Sequence, residues 1–267
     1  MAKILFLPLL VLCIAPWLFS CLSVTSYDVG FSGLPENFDG FKIAVITDFH
    51  NDRFGKNQTK LIKPVLEQNP DMVVLVGDTL DKGDRDIKNV RTFLAGIQGI
   101  SPVYATAGNH EFENPALFTE LLNAYREYGV VFLDGQTVLL EREDQQIAIS
   151  SQKLVPGPRK AYWINNDTKP LNKNSFNIFL HHFGNEFDMI SDEYDLVISG
   201  HIHGGIIRIF KTGLFGQGKK LIFPKYSKGV YRKESGSVMV LSGGLGSTVF
   251  PRINNRREIV IITLSGE

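Results

Sequence analysis

Cysteine is missing from most of this chain, and its absence narrows the chemistry that the protein can perform. Among the 267 residues only Cys13 and Cys21 are cysteines, and both fall in the first part of the sequence. The remainder therefore has no disulfide and no thiolate to serve as nucleophile or metal ligand. Excess charge is missing too, because 28 basic residues balance 28 acidic ones. With Lys and Arg dispersed along the chain, nothing signals a nucleic-acid partner.

Internal repeats and low-complexity linkers are also absent, which favours one folded domain. Hydrophobic residues make up 43% of the chain, enough for a sizeable core. Apolar strands alternate with helices in the first half, with strands predicted at 41–47, 72–76 and 103–106 and helices at 57–69, 87–96 and 115–128. After Gly129 shorter β-like runs follow, at 130–133, 136–142, 146–150, 176–180, 196–199, 205–210, 237–241 and 258–264. An α/β sandwich of two sheets with outer helices accommodates both halves.

Residues 4–22 carry no charge and just reach the length of about 19 residues that can span a bilayer. Three interpretations compete: an uncleaved signal anchor, a cleaved signal peptide without a clear A-x-A site, and a lipoprotein signal ending at Cys21. We favour the anchor. The sequence then divides into a transmembrane anchor (1–25), an extended linker (26–40) and a catalytic domain (41–267). The expected location is the cell membrane, with a single-pass anchor and the domain outside the cytoplasm.

Seven residues of metal-ligand type stand at the ends of predicted apolar strands. They lie in the motifs TDFH (47–50), GDTLD (77–81), GNHE (108–111), FLHHF (179–183) and GHIHGG (200–205). Each motif alone has an ordinary explanation, such as a helix cap or a hydrogen-bonded histidine, but five together favour a site. Oxygen and imidazole donors without sulfur suit two divalent ions of Mn, Fe or Zn. The seven are Asp48, His50, Asp78, Asn109, one of His181 and His182, His201 and His203.

Spacing suggests how these donors are shared. Asp48 and His50, like His201 and His203, are two residues apart, so on an extended chain each pair faces one ion. Asp78 follows a continuous apolar run and is the best candidate for a carboxylate shared by two metals.

Two further polar residues accompany the donors. Asp81 is either a solvated turn residue or a partner that orients a histidine. His110 is either a hydrogen-bonded surface histidine or a group that holds phosphate or protonates a leaving alkoxide. Two later stretches, 223–231 and 243–248 with Arg252 beyond them, are candidates for shaping the pocket, and we assign them no catalytic role.

The five motifs, in this order, resemble the calcineurin-like metallophosphoesterase superfamily, and more closely its membrane-anchored bacterial branch, whose motifs end in GHxHGG. The resemblance runs from about residue 41 to residue 264 and implies a four-layer αββα sandwich, two mixed β-sheets flanked by helices. It also implies hydrolysis of phosphate esters by a metal-bridging hydroxide. One metal would take Asp48, His50, Asp78 and His203, and the other would take Asp78, Asn109, the 181/182 histidine and His201. His110 would contact the phosphate as general acid, with Asp81 pairing to it.

One stretch departs from the pattern of that branch, which has a proline two residues after its histidine. Here the sequence reads His181-His182-Phe183-Gly184, without the proline. Alternation places Ile178, Leu180 and His182 on one face, so we predict His182 as the ligand, with His181 as the alternative.

Three functions remain in competition at this point. A phosphoesterase is favoured because every expected ligand type is present. A non-catalytic binding module on the same fold is disfavoured for the same reason. A lipid-linked nucleotide pyrophosphatase or phospholipid phosphodiesterase is motivated by the apolar N-terminal segment. The sequence leaves open the natural substrate, the choice of monoester or diester, the native metals and the oligomeric state.

Overall fold

Strands buried on both faces form the centre of the molecule. The computed structural model describes residues 21–153, 170, 175–216, 222–246 and 251–267. Met72–Val76 is buried at every position, which is typical of a parallel strand covered on both sides. Phe176–Phe183 and Leu196–Gly200 are also buried throughout. These continuous apolar runs belong to two six-stranded sheets that pack against each other.

The first sheet has the order β1-β14-β2-β3-β4-β5, and it is mixed. The pair β14–β2 is antiparallel, whereas β1–β14, β2–β3, β3–β4 and β4–β5 are parallel. Its strands are β1 (Leu22–Phe31), β2 (Lys42–Ile46), β3 (Met72–Val76), β4 (Val103–Thr106), β5 (Val130–Phe132) and β14 (Arg257–Gly266).

The second sheet has the order β12-β13-β9-β8-β7-β6 and is mixed as well. Its three central pairs are parallel and the two outer pairs, β12–β13 and β6–β7, are antiparallel. Its strands are β6 (Thr137–Arg142), β7 (Gln145–Ser151), β8 (Phe176–Phe183), β9 (Leu196–Gly200), β12 (Gly229–Arg232) and β13 (Val238–Leu241). A short hairpin of β10 (Arg208–Ile209) and β11 (Thr212–Gly213) stands apart from both sheets.

Four α-helices lie along the chain between strands of the first sheet: α1 (Thr59–Glu67), α2 (Lys88–Ile97), α3 (His110–Glu113) and α4 (Pro115–Tyr128). The limits of α4 follow from its sequence. Asn114 caps the helix by accepting the Leu117 N–H at 3.3 Å, and Pro115 occupies the first turn. Gly129, with φ of 75°, ends it in the left-handed conformation.

Alternation along the strands divides the core into layers. Ile43 and Val45 of β2 point between the two sheets, whereas Ala44 and Ile46 point to the other face, against the helices. The α/β fold with two mixed sheets is therefore confirmed. The outer face of the second sheet is covered by Phe187 of the 3-10 helix Gly184–Met189 and by aromatic side chains.

The expected outer helix on that face is not found within the described residues. The connection from β8 to β9 spans only residues 184–195, which leaves room for 3-10 turns but hardly for an α-helix that packs back on the sheet. The connection from β7 to β8 lies mostly outside the described residues, so the four-layer αββα arrangement stays a prediction.

The linker predicted at 26–40 includes the second half of a β-strand. Residues 22–31 form β1, which pairs in parallel with β14 from Leu22↔Arg257 to Phe31↔Gly266. A boundary after residue 25 would cut this strand. The proposed anchor lies mostly in residues 1–20, outside the described residues. Within the described ranges, no helix is both long enough and apolar enough to cross a bilayer.

Candidate metal centre

The predicted ligands follow strands whose carboxyl ends meet at one edge of the two sheets. Five of them adopt a left-handed backbone, with φ of 49° at Asp48, 50° at His50, 49° at Asp78, 75° at His201 and 49° at His203. This conformation costs roughly 1 kcal/mol or more for each non-glycine residue. The pairs two residues apart are thus turned toward the site by sharp bends, and the extended chain assumed from their spacing is absent.

The first group of donors joins both sheets. Ligand atoms of Asp48, His50 and His203 all lie within 4.8 Å of one another, and all three residues are buried. The His203 Nε2 atom is 3.6 Å from Asp48 Oδ1. The rings of His50 and His203 stack with centroids 5.2 Å apart. The Asp48 carboxylate also accepts the backbone N–H of His201 at 3.0 Å, which ties the two sheets together at this point.

The second group consists of Asp78, His182 and His201, again with ligand atoms within 4.8 Å of one another. The His182 Nε2 atom is 3.1 Å from Asp78 Oδ2. Its Nδ1 atom lies 2.9 Å from the carbonyl oxygen of Val76 and donates to it, because a carbonyl only accepts. That bond fixes the ring with Nε2 turned to the site, which is the usual arrangement of a metal-binding histidine.

His181 points away from this centre. Its Nε2 atom is 3.1 Å from Glu186 Oε2, and its ring stacks on Phe179 with centroids 5.7 Å apart. Phe179 belongs to the core on the outer face of the second sheet. The structure thus brings His182, and not His181, beside Asp78.

His110 stands where both groups approach Asp78. Its backbone N–H donates to Asp78 Oδ1 at 2.9 Å, and its Nε2 atom is 3.9 Å from Asp78 Oδ2. The backbone N–H of Lys82 donates to its Nδ1 atom at 3.3 Å. The proton of the neutral ring is therefore on Nε2, directed into the site. Asn109 directly precedes His110 and shares its loop.

Asp81 lies between two imidazoles. Its Oδ2 atom is 3.5 Å from His50 Nδ1 and 3.7 Å from His110 Nδ1. These separations indicate charge attraction more than full hydrogen bonds. Attraction to His50 lowers the pKa of Asp81 to about 2, so it is a carboxylate at neutral pH. The predicted pairing with His110 is present, but Asp81 is shared with His50.

The histidines of this centre fall into two groups, those whose pKa is raised and those whose pKa is lowered. Burial opposes protonation of His50 and His182, yet nearby carboxylates raise the pKa of His50 to about 9 and that of His182 to about 10. Burial lowers the pKa of His201 to about 3, assisted by His182. Burial and the neighbouring Arg252 also lower the pKa of His203. Because metal ligands must be deprotonated, a cation here would compete with protons on His50 and His182.

The donor set fits divalent cations. Among the described residues, three buried ring nitrogens that face this centre make no hydrogen bond, although buried polar atoms nearly always do. Cations held by them would supply the missing partners and offset the fully buried carboxylates of Asp48 and Asp78. The three atoms are His50 Nε2, His201 Nδ1 and His203 Nε2.

Comparison with known proteins identifies the family of this chain. Residues 41–205 match the family described as calcineurin-like phosphoesterase. The chain belongs to this family. It is a metal-dependent phosphoric ester hydrolase. The predicted family membership is confirmed, whereas the narrower resemblance to a membrane-anchored branch stays a prediction.

Relatives of this phosphoesterase span nearly its whole length. An uncharacterised metallophosphoesterase of Aquifex aeolicus is 26% identical over 92% of this chain and 93% of its own. The metallophosphoesterase YkuE of Bacillus subtilis is 28% identical over 91% of this chain and 85% of its own. Among solved structures, a dimetal phosphatase from Danio rerio has 13% identity and a TM-score of 0.45, covering 77% of this chain and 88% of that one.

Glu111 supports the loops of this site, a part that the sequence analysis did not predict. Its buried carboxylate accepts four backbone N–H groups: Thr79 at 2.7 Å and Leu80 at 3.1 Å on Oε1, and Asp78 at 3.1 Å and Gly108 at 2.6 Å on Oε2. These belong to the two loops that carry Asp78 and Asn109. The sequence signal for Glu111 was the acidic residue that ends the motif GNHE.

Arg252 is the second such residue, and it is 8% exposed. Its guanidinium donates to the carbonyl of Gly243 at 2.6 Å, to that of Gly246 at 3.0 Å and to His203 Nδ1 at 3.0 Å. A guanidinium only donates, so His203 Nδ1 accepts and the proton of the neutral ring lies on Nε2. A cation at His203 Nε2 would compete with that proton.

The 243–246 loop must also come close to the ligands. Gly244 has φ of 68°, and a Cβ atom there would lie 2.6 Å from Asp48 Oδ2. Any side chain would therefore displace the Asp48 carboxylate as well as strain the backbone. This requirement explains the glycine-rich sequence of the loop, for which the sequence alone predicted only a part in shaping the pocket.

Proposed function

We propose that this phosphoesterase hydrolyses phosphate esters at two divalent cations bridged by Asp78. Support comes from two donor groups, Asp48 with His50 and His203 and Asp78 with His182 and His201, and from a third group of His50, Asp78 and His110 that connects them. Mn, Fe and Zn all suit such mixed oxygen and nitrogen donors. One cation would be held by Asp48, His50, Asp78 and His203, and the other by Asp78, Asn109, His182 and His201.

The observation that carries the proposal is the position of His110. Its Nε2 proton points into the site, 3.9 Å from the Asp78 oxygen that also faces His182. Once protonated, the ring can bind a phosphoryl oxygen and pass its Nε2 proton to a departing alkoxide, which returns the ring to the neutral form. Asp81 holds a negative charge 3.7 Å from the other side of the ring, so it stabilises the ring when charged. When bound, the cations supply Lewis acidity to the phosphoryl oxygens and lower the pKa of the attacking water.

The test uses the full chain, stripped of metal and refilled with Mn, Fe or Zn in turn. We expect metal-dependent hydrolysis of p-nitrophenyl phosphate or its bis ester, and the preferred ester shows whether a monoester or a diester fits. Asp78→Asn should lose bound metal by elemental analysis and lose more than about a hundredfold in kcat/KM. Two bound metals with unchanged turnover in that variant would refute the bridging assignment.

His181 and His182 offer a matched pair of variants. His182→Gln should lower the metal content and the activity, whereas His181→Gln should keep both, because only His182 faces Asp78. The reverse result would exchange the two assignments. Circular dichroism of both variants checks that each still folds.

His110 is tested through the leaving group. His110→Asn should keep its metals and lose roughly a hundredfold or more in kcat on an alkyl phosphate, whose alkoxide needs a proton. The loss should be smaller on p-nitrophenyl phosphate, because p-nitrophenolate leaves without protonation. An equal loss on both substrates would point to phosphate binding instead of proton transfer.

The proposed location is the cell membrane, with residues 4–22 as a single-pass anchor and the domain outside the cytoplasm. The apolar sequence supports this, and it favours a lipid-linked or nucleotide-linked phosphodiester or pyrophosphate as an alternative substrate class. Protease added to intact cells should then digest the domain, and a domain protected until the cells are lysed would overturn the topology.

A further inference from the structure

A cluster of large apolar side chains stands exposed beside the metal centre. Phe210 at the tip of the β10–β11 hairpin is 92% exposed, and Phe223 and Ile222 are 65% and 62% exposed. We call Ile209, Phe210, Phe215, Ile222 and Phe223 the apolar hairpin surface. Such a concentration of exposed aromatic and aliphatic side chains marks an interaction site on a soluble domain.

This surface is fixed to the backbone that carries His203. The Phe215 N–H donates to the Gly205 carbonyl at 3.1 Å, and the Phe223 N–H donates to the Leu214 carbonyl at 2.9 Å. The guanidinium of Arg208 donates to the Gly204 carbonyl at 2.9 Å. Whatever binds the apolar hairpin surface is therefore held next to the metal centre.

Two aromatic residues of the surface carry backbone strain. Phe210 has φ of 55° and Phe223 has φ of 52°, in the left-handed region that bulky side chains seldom occupy. Phe210 gains no burial in return, since nearly all of its side chain is exposed. Backbone strain at an exposed apolar residue brings no gain in packing, so it points to a binding role.

Charge around the hairpin identifies the partner. From residue 196 to residue 233 the sequence has no Asp and no Glu, while its basic residues are Arg208, Lys211, Lys219, Lys220, Lys225, Lys228, Arg232 and Lys233. The four at its C-terminal end pair with acids elsewhere: Asp188, Glu258, Glu267 and Asp192. Arg208 and the exposed Lys211 lie within the hairpin itself. Apolar side chains beside basic ones match the interface of a bilayer that contains anionic lipids.

We propose that the apolar hairpin surface docks on an anionic lipid surface, with Phe210 and Phe223 inserted at the level of the headgroups and Lys211 facing lipid phosphates. Docking of this kind would turn the metal centre toward the bilayer. It is separate from the proposed anchor, because it concerns the orientation of the folded domain. It is also independent of catalysis, since it requires only the described fold.

The experiment measures where residue 210 lies relative to lipid. Replacing Cys13 and Cys21 by Ser leaves the full chain without cysteine, and Phe210→Cys then accepts an environment-sensitive fluorophore at one position. Leu139→Cys is the matched control, because Leu139 is 51% exposed but lies on β6, the edge strand of the second sheet. Both proteins are reconstituted with phosphatidylcholine vesicles, with and without phosphatidylglycerol, so any anchor contributes equally.

We expect a blue-shifted emission and quenching by lipid-borne nitroxides at position 210 only, and more strongly with phosphatidylglycerol. Lys211→Glu in the Phe210→Cys protein should lower the ratio of docked to undocked protein by roughly tenfold. A fluorophore at 210 that stays in water overturns the proposal. So does a shift that needs no vesicles and grows with protein concentration, which would indicate a second copy. Equal quenching without anionic lipid would refute the role of charge.

Discussion

The loops that follow the first sheet and those that follow the second are held in opposite ways. On the side of the first sheet, the carboxylate of Glu111 accepts hydrogen bonds from four backbone N–H groups, those of Asp78, Thr79, Leu80 and Gly108. The loops around Asp78 and Asn109 therefore depend on one buried anion that acts only as an acceptor.

On the side of the second sheet, the partners are reversed. The guanidinium of Arg252 donates hydrogen bonds to the carbonyls of Gly243 and Gly246 and to His203 Nδ1. Asn255 adds a second donor, at 2.7 Å from the His203 carbonyl. The loops around His203 and Gly243 are therefore held by buried side chains that donate hydrogen bonds to carbonyl oxygens.

The contrast shows how two buried charges, Glu111 and Arg252, can support a metal site without pairing with each other. Each charged side chain is solvated by backbone dipoles of the loops it holds, so charge and loop conformation stabilise each other. Removal of either support should then disturb ligand positions on its own side first.

The largest effect is expected for Glu111→Gln. Whichever way the amide turns, its NH₂ group faces two backbone N–H groups that the carboxylate accepted. We expect the free energy of unfolding to fall by about 3 kcal/mol or more, measured by urea denaturation. Glu120→Gln on α4 is the control, because Glu120 is half-buried and its ion pair with Arg91 Nε is long, at 3.8 Å. A loss below about 1 kcal/mol would show that Glu111 does not hold these loops.

Arg252→Lys should have a smaller effect. The ammonium keeps the charge but cannot reproduce the fork that serves two carbonyls and an imidazole. We expect a loss of about 2 kcal/mol in the same assay, with Arg256→Lys, an exposed neighbour, as the control. If Arg252→Lys were more damaging than Glu111→Gln, the ranking by number of backbone partners would be wrong.

Thr25→Val should have the smallest effect, and it tests how Glu258 supports the 243–246 loop. Glu258 is fully buried and accepts Gly243 N–H at 2.7 Å, the Thr25 hydroxyl at 2.5 Å and Lys228 Nζ at 2.5 Å. Loss of one of three partners should cost about 1 kcal/mol. Thr137→Val on the edge strand β6 is the matched control. Equal values for the two variants would remove Thr25 from this network.

Local pattern was sufficient for much of the fold. Pro70 and Gly77 bound β3, and Asn114-Pro115 and Gly129 bound α4, so both elements agree with their predicted limits. The pairing of β1 was missed because its partner β14 is more than 200 residues away in sequence, and no local signal reveals such pairing. The predicted strand at 205–210 shortened to Arg208–Ile209, since Gly204 and Gly205 belong to a 3-10 turn.

The site was predictable where chemistry alone identifies a residue. Asp48, His50, Asp78, His182, His201 and His203 come together as expected because metal donors at strand ends converge on one edge. Glu111 and Arg252 could not be assigned, because their role is to bind backbone atoms of distant loops. Which peptide groups those loops turn inward is decided by left-handed residues that leave no clear mark in the sequence.

The position of β14 has a consequence for how the chain folds as it is synthesised. β14 is the last strand in chain order, yet it lies inside the first sheet, between β1 and β2. During translation β1 and β2 are synthesised early, but the strand that pairs with both follows only after more than 200 further residues. We therefore expect slow folding with high contact order, in which the domain becomes resistant to protease only after its final strand has left the ribosome.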